Sequence, residues 1–309
     1  MLGKAFILKM HQPKPVDISS FKHLYPFESH FMQVNGFKYH YIDEGAGEPM
    51  VMIHGNPTWS FYFRNLIEHF SPRFRTIAMD HIGCGLSDKP PLSRYNYALQ
   101  RRIHDLNTFL DSLALNQKLT LVVHDWGGVI GMAYALRHID RIRRLIVLNT
   151  AAFFPPAGKT LPLRLRMIRN WHLFSTLSVL GLNLFARSAL YMATRRNLTH
   201  DVKSGLVAPY NCWQNRIATL MFVRDIPLDS TDAGYHLVKE VDENLYKLSS
   251  VPMLICWGMR DFVFDADYLA EWQKRFPDAV VHAFENAGHY VLEDVPQKII
   301  GCVQDFMQP

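Results

Sequence analysis

Short apolar runs alternate along the chain with longer stretches in which apolar residues recur every three or four positions. That rhythm predicts βαβ units around a mostly parallel sheet. "PMVMIHG" (Pro49 to Gly55), "FRTIAMD" (Phe74 to Asp80), "LTLVVHD" (Leu119 to Asp125) and "RLIVLN" (Arg144 to Asn149) are runs of strand length. They are nearly continuous in apolar residues, as strands buried on both faces must be. Upstream, "HFMQVNGFKYHYIDEG" (His30 to Gly45) sets an Asn-Gly step between two alternating runs, the signature of a hairpin. After a gap the pattern resumes with "VPMLICWG" (Val251 to Gly258) and "AVVHAFE" (Ala279 to Glu285), and a last helix is expected from about Tyr290.

The gap, from Phe154 to about Tyr235, contains no convincing strand. It opens on a Pro/Gly break, "FFPPAGK", and is rich in Leu, Met, Phe, Trp and Arg at helical spacing. The predicted organisation is therefore an α/β core made of residues 1–154 and 236–309, with a helical cap inserted at 155–235. No internal repeat or low-complexity stretch stands out.

Bulk properties narrow the class without changing that picture. A chain of 309 residues, 49% hydrophobic and 20% charged, is an ordinary globular composition. At this length roughly 75% of the unfolded surface can be buried, so a large core needs no covalent staples. The formal charge of +5 is mild and dispersed, which gives no footprint for nucleic acid. Cys84, Cys212, Cys256 and Cys302 form no C-x-x-C pair and read as reduced thiols of a cytoplasmic protein. The start, "MLGKAFILKMHQPKP", lacks a signal-peptide core, and no segment approaches the ~20 apolar residues of a membrane span. No residue cluster calls for a metal or a cofactor.

The chemistry centres on "VVHDWGG" (Val122 to Gly128). An apolar strand, one polar residue and a glycine pair opening a helix make the outline of a nucleophile elbow, whose usual form is G-x-S-x-G. Here Asp125 stands at the nucleophile position. An ordinary helix N-cap would also be aspartate, but the Gly127-Gly128 pair permits the sharp turn that an exposed nucleophile needs. The helix N-terminus behind it favours an ionised carboxylate. Unlike serine, a carboxylate needs no base to be nucleophilic, and it can displace a leaving group at an sp³ carbon to give an alkyl ester.

An orienting acid and then a histidine should follow in chain order. "NAGHYVLED" places His289 just after the last strand, and "WGMRDFVFD" supplies Asp261 after the preceding one. Asp265 and Asp267 are the alternatives to Asp261, unless they cap or open the next helix. The other position for an acid, after "RLIVL", holds Asn149, which carries no charge. In "HGNPTWSFYFR", His54 reads as structural, whereas Asn56 offers a side-chain amide to a leaving anion and a backbone N–H to an oxyanion hole. Trp126 adds a backbone N–H and an indole N–H, a donor with no acceptor. "DHIGCGLSDKP" (Asp80 to Pro90) lacks phosphate-loop spacing and is expected to shape the floor beneath the site. In the cap, Arg164, Arg166 and Arg169 among long apolar side chains are either solvated charges over packed helices or a basic face for a membrane or partner.

Taken together, "HGNPTWS", "SDKP", "VVHDWGG", "GMRD" and "AGHY" resemble the α/β-hydrolases of the haloalkane dehalogenase group, over nearly the whole chain from about Tyr25. The resemblance implies an α/β-hydrolase fold with an inserted helical cap. It assigns Asp125 as nucleophile, Asp261 and His289 as its triad partners, and Asn56 and Trp126 as holders of a released anion. "DHIGCGLSDKP", "APYNCWQNRIATLMFVRDIP" and "CWGMRDFVFD" are closer still to a sister branch, the β-lactone decarboxylases of bacterial long-chain olefin biosynthesis. That branch converts cis-3,4-dialkyl-β-lactones to cis-alkenes and carbon dioxide. It implies a hydrophobic substrate with alkyl chains and association with the enzyme that makes the lactone.

On this expectation Asp125 attacks the ring carbon bearing oxygen, with inversion. Anti elimination of carbon dioxide then releases Asp125, so that a cis-lactone gives a cis-alkene without water. An acyl-enzyme route through the lactone carbonyl is the mechanistic alternative. Haloalkane dehalogenase is the second expectation. Epoxide hydrolase, the third, would require two cap tyrosines, with Tyr191, Tyr210 and Tyr235 as candidates. A fluoroacetate-type dehalogenase would be expected to carry arginine beside the nucleophile, and a non-catalytic binding module would be expected to show a damaged triad.

Overall fold

The computed structural model describes residues 13–308; most of the N-terminal stretch discussed above lies outside them. Eight strands form one sheet: β1 (His30–Val34), β2 (Phe37–Glu44), β3 (Pro49–Ile53), β4 (Arg75–Met79), β5 (Leu119–Asp125), β6 (Ile142–Thr150), β7 (Met253–Gly258) and β8 (Val280–Phe284). Their spatial order is β1-β2-β4-β3-β5-β6-β7-β8, with β2 antiparallel to both its neighbours and all other pairs parallel. The β1–β2 hairpin turns at Asn35-Gly36, where φ is +49° and +87°. Two consecutive positive φ values are what a two-residue I′ turn requires, and they explain why that step is Asn-Gly.

Strands β3 and β5 to β7 lie in the middle, and β3, β5 and β7 are buried along their whole length. Alternate residues serve two cores. Val51, Ile53, Leu121, Val123 and Val147 pack on one face against helices Leu99–Ser112 and Trp126–Arg137. Met50, Met52, Val122, Ile146 and Leu148 pack on the other against Arg64–Phe70 and Pro296–Phe306. Strand β8 is an edge strand and largely exposed, so its apolar run is not a buried one. The expected last helix is broken: Val291–Asp294 stops, and Pro296 starts the next. Proline disfavours helical conformation in the residue before it but suits a first helical position.

Between β6 and helix Tyr235–Asn244 the chain is helical or irregular, with no strand. Its main helices are Leu163–Asn170, Leu184–Met192, His200–Val207 and Ile217–Arg224, with a π-turn at Thr176–Gly181. Hydrogen bonds tie this segment to the sheet's carboxyl edge: the Trp59 indole donates to the Gly205 carbonyl (2.9 Å) and the Tyr290 amide to the Ala193 carbonyl (2.7 Å). In open parallel sheets this edge is where ligands bind.

Candidate active site

Asp125 ends β5 and caps helix Trp126–Arg137 with φ +52°, a conformation costly for a residue with a side chain. The strain is held from both sides. The Thr150 hydroxyl donates to the Asp125 carbonyl. Gly127 lies so close to the Ile53 carbonyl that a Cβ there would collide with it. Gly55 is equally constrained, because a Cβ would overlap the Asp125 carboxylate. Of that carboxylate, Oδ1 accepts the backbone N–H groups of Trp126 (2.7 Å) and Asn56 (3.2 Å). The second oxygen, Oδ2, lies 3.6 Å from His289 Nε2.

His289 follows β8, and Gly288 and Tyr290 on either side fix its backbone. The Gly288 amide donates to Asp294 (2.7 Å), and the His289 carbonyl bonds His124 Nε2 (2.9 Å). His289 Nδ1 meets Asp261 Oδ2 at 2.8 Å. Burial alone would lower the His289 pKa, but the charge of Asp261 and the hydrogen bonds to Asp125 and Asp261 outweigh it and push the imidazole up to about 10. The protonated form of His289 is thus favoured, placed between the side chains of Asp261 and Asp125. Its neighbour His124 is held well below the ordinary range by burial and by the nearby His289.

Asp261 is held by the Val263 amide (2.7 Å) and by the side-chain amide of Asn149 (3.0 Å). Asn149 in turn accepts from the Gly258 amide (2.7 Å). The asparagine that occupies the alternative acid position therefore braces the acid itself, a role no sequence signal announced. Asp265 caps helix Ala266–Arg275, and Asp267 pairs with Lys159 on the surface.

All five residues singled out in the sequence, Asp125, His289, Asp261, Asn56 and Trp126, converge here, and all but Asp261 line one cavity of ≈ 360 Å³. Asn56 is partly committed: one amide hydrogen goes to the Thr219 carbonyl (3.1 Å), leaving the other for the cavity. The remaining walls are mostly apolar, among them Phe153, Leu165, Phe174, Val179, Phe185 and Met192. Of the three candidate tyrosines none lines the cavity. Tyr191 is exposed, Tyr235 packs on Phe154, and buried Tyr210 donates to the Thr58 carbonyl.

The layer beneath is polar and closed. Burial alone would raise the Asp80 pKa, but the charge and hydrogen bond of His40 and the Ser60 amide bring it down to about 2. Burial lowers Lys89 to about 8, and its ammonium is spent on the carbonyls of Gly85 (2.6 Å) and Ser87 (3.0 Å). His54 bonds the Gly55 carbonyl (2.7 Å) and accepts the His81 amide (3.0 Å), so it is structural. One feature of this layer was not legible at all. The Arg102 guanidinium is buried, none of its nitrogens bonds a described residue, and its centre lies 3.4 Å from the Phe222 ring centroid. Phe222 in turn packs 5.5 Å from the Trp126 ring.

Comparison with known proteins agrees with this architecture. Residues 48–296 match the alpha/beta hydrolase fold family. A cis-3-alkyl-4-alkyloxetan-2-one decarboxylase of Shewanella oneidensis is 50% identical over 92% of this chain and 89% of its own. The protein of that name from Xanthomonas campestris pv. campestris is 40% identical over 88% and 93%. In three dimensions a haloalkane dehalogenase from Agrobacterium tumefaciens C58 superposes with a TM-score of 0.81, at 23% identity, over 90% of this chain and 95% of its own. With its carboxylate elbow, its eight-stranded mixed sheet and these relatives, the chain belongs to the alpha/beta hydrolase family.

Proposed function

We propose that the protein decarboxylates cis-3-alkyl-4-alkyl-oxetan-2-ones to cis-alkenes, with Asp125 as nucleophile. The observation that carries the proposal is the division of labour on the Asp125 carboxylate. Oδ1 is fixed by two backbone N–H groups, which leaves Oδ2 to attack a carbon in a cavity that also holds the Asn56 and Trp126 side chains. Oδ2 bonds to the ring carbon bearing oxygen and the carbon–oxygen bond breaks, freeing a carboxylate. The Asn56 amide and the Trp126 indole stabilise that charge. The bond to the carboxylate carbon then breaks, its electrons form the alkene, and Oδ2 leaves with its electron pair as carbon dioxide departs. No proton or water is consumed. The His289 imidazolium, held by Asp261, balances charge on Asp125 as the ester forms and breaks.

The same site geometry would serve a hydrolytic dehalogenase. What favours the lactone is the greater likeness to decarboxylases. The absence of Tyr191, Tyr210 and Tyr235 from the cavity wall speaks against an epoxide hydrolase. In this proposal residues 155–235 act as a cap over a core of 1–154 and 236–309. The enzyme works in the cytoplasm, next to the β-lactone synthetase that supplies its ring.

Two substrates presented side by side test it. Purified protein and Asp125→Asn receive a cis-dialkyl-β-lactone, followed by alkene and carbon dioxide, and 1-bromobutane, followed by bromide. Alkene without bromide, lost in the variant, is expected; bromide without alkene would mean a dehalogenase. Solvent ¹⁸O appearing in the Asp125 carboxylate during lactone turnover would refute the water-free route.

A further inference from the structure

Between Leu163 and Tyr191 the surface is unusually apolar. Leu163, Trp171, Leu173, Phe174, Leu177, Leu182, Leu184 and Tyr191 are all exposed, Leu173 by 75% and Leu182 by 64%. A soluble protein normally scatters such side chains; clustered ones mark an interaction surface. Within this segment of the chain the charges have one sign. From Arg141 to His200 the chain contains no Asp or Glu, while Arg164, Arg166 and Arg187 stand exposed among the leucines. The face is also joined to the site, because Arg164, Phe174, Leu184 and Ser188 are exposed and at the same time line the cavity that ends at Asp125.

From these observations we infer that residues 163–191 dock the protein on the surface of an anionic lipid bilayer and open the cavity toward its hydrocarbon. Leucine, phenylalanine and tryptophan set among arginines, without acids, is the composition of a segment that lies in a membrane interface. Trp171 and Tyr191 suit the headgroup level, where amphipathic rings collect. The apolar segments His172–Gly181 and Leu184–Met192 meet at 76°, and each is far shorter than the roughly 20 residues of a span, so the contact is with one leaflet. A bilayer matches both features of the face, positive charge against anionic headgroups and exposed leucine against acyl chains. It also gives a greasy ligand a path that avoids water. The docking itself stands apart from the proposed lactone chemistry and is read without turnover.

The test is co-sedimentation of the full chain with vesicles of phosphatidylcholine alone and with phosphatidylglycerol added. Binding is expected only, or much more strongly, with phosphatidylglycerol, and should weaken as salt rises. Leu173, Leu177 and Leu182 are exposed and line no part of the cavity. Their joint replacement by serine should lower partitioning at least about tenfold, with an unchanged thermal melt. Arg166→Gln with Arg187→Gln should lower it several-fold at low salt. Absence of binding to either vesicle, or undiminished binding by the serine variant, would overturn the inference. So would a dimer in solution that the serine variant dissociates, since the face would then belong to a second copy.

Discussion

Asp125 ends β5, and Asp261 and His289 follow β7 and β8; Asp125 Oδ1 is held by the Trp126 and Asn56 amides, Asp261 by Asn149 and Val263, and His289 Nδ1 by Asp261. Across the cavity, Phe174, Val179 and Phe185 come from short helices and a π-turn, and no triad residue comes from that side. The two walls obey different tolerances. Reacting groups lose their effect when displaced by a fraction of an ångström, so they sit where ladders and glycine contacts fix the backbone. A wall that only has to exclude water and accommodate alkyl chains needs apolarity and volume, which many side chains satisfy.

The most forceful way to break that comparison is to substitute once on each wall. Asp125→Asn keeps an oxygen to accept the Asn56 and Trp126 amides but removes the proposed nucleophile, so alkene formation should fall by about 10⁴-fold or more while the melt changes little. Phe174→Ala, on the apolar wall, should alter kcat by less than about tenfold and act mainly on KM for long chains. Comparable losses in kcat would show that the apolar wall also positions the reacting carbon.

His289→Gln should cost about 10²–10³-fold. Its pH behaviour is the sharper readout. With the folded pKa raised to about 10 from an ordinary 6.5, the stability that protonated His289 contributes is complete below about 6.5 and is lost as pH rises through about 10. Wild-type melting should therefore decline between neutral pH and pH 10 by more than that of the variant. If the imidazolium is the working form, alkene formation stays level from pH 7 to 9 and falls toward 10; a rate that climbs over that range would mean neutral His289 is required.

Smaller losses are expected where two donors share one task. Asn56→Ala and Trp126→Phe should each slow lactone turnover by about 10–100-fold, and the double variant by less than the product of the two. Asn56→Ala should be the worse for stability, because its amide also holds the Thr219 carbonyl. Fully multiplicative losses would mean that the two donors act on different species.

How much of this was legible in the sequence follows the same division. The hairpin at Asn35-Gly36, the buried strands and the Asp125 elbow are local: each is written in a period, a turn residue or a glycine pair. The convergence of His289 and Asp261 on Asp125 could be expected from chain order and a family resemblance. What lay beyond reach were long-range consequences. Asn149 was visible only as an uncharged residue at a strand end, and that it braces Asp261 depends on how β6 and β7 align. The exposure of β8 depends on its place at the sheet edge, and its apolar run alone does not give that away. Arg102, on helix Leu99–Ser112, has the look of a solvated helix charge until Phe222 from residues 217–224 closes over it.

Arg102 supports the subtlest expectation. A buried guanidinium that hydrogen-bonds no described residue is costly to fold around, so Arg102→Met should leave the melting temperature unchanged or raise it. After burial, the larger cause, its charge helps to hold His54 and His81 below their ordinary range, and its guanidinium stacks on the Phe222 ring, which packs against Trp126. In so dry a setting a positive charge favours any anion nearby. Arg102→Met should therefore weaken binding of bromide, a stand-in for the leaving group monitored by quenching of tryptophan fluorescence, by a few-fold, and slow lactone turnover by a similar factor. A variant that melts much earlier yet binds bromide as before would make Arg102 a packing residue only. One that is more stable and poorer with anions would show the floor of the site keeping an unfavourable charge because the reaction uses it.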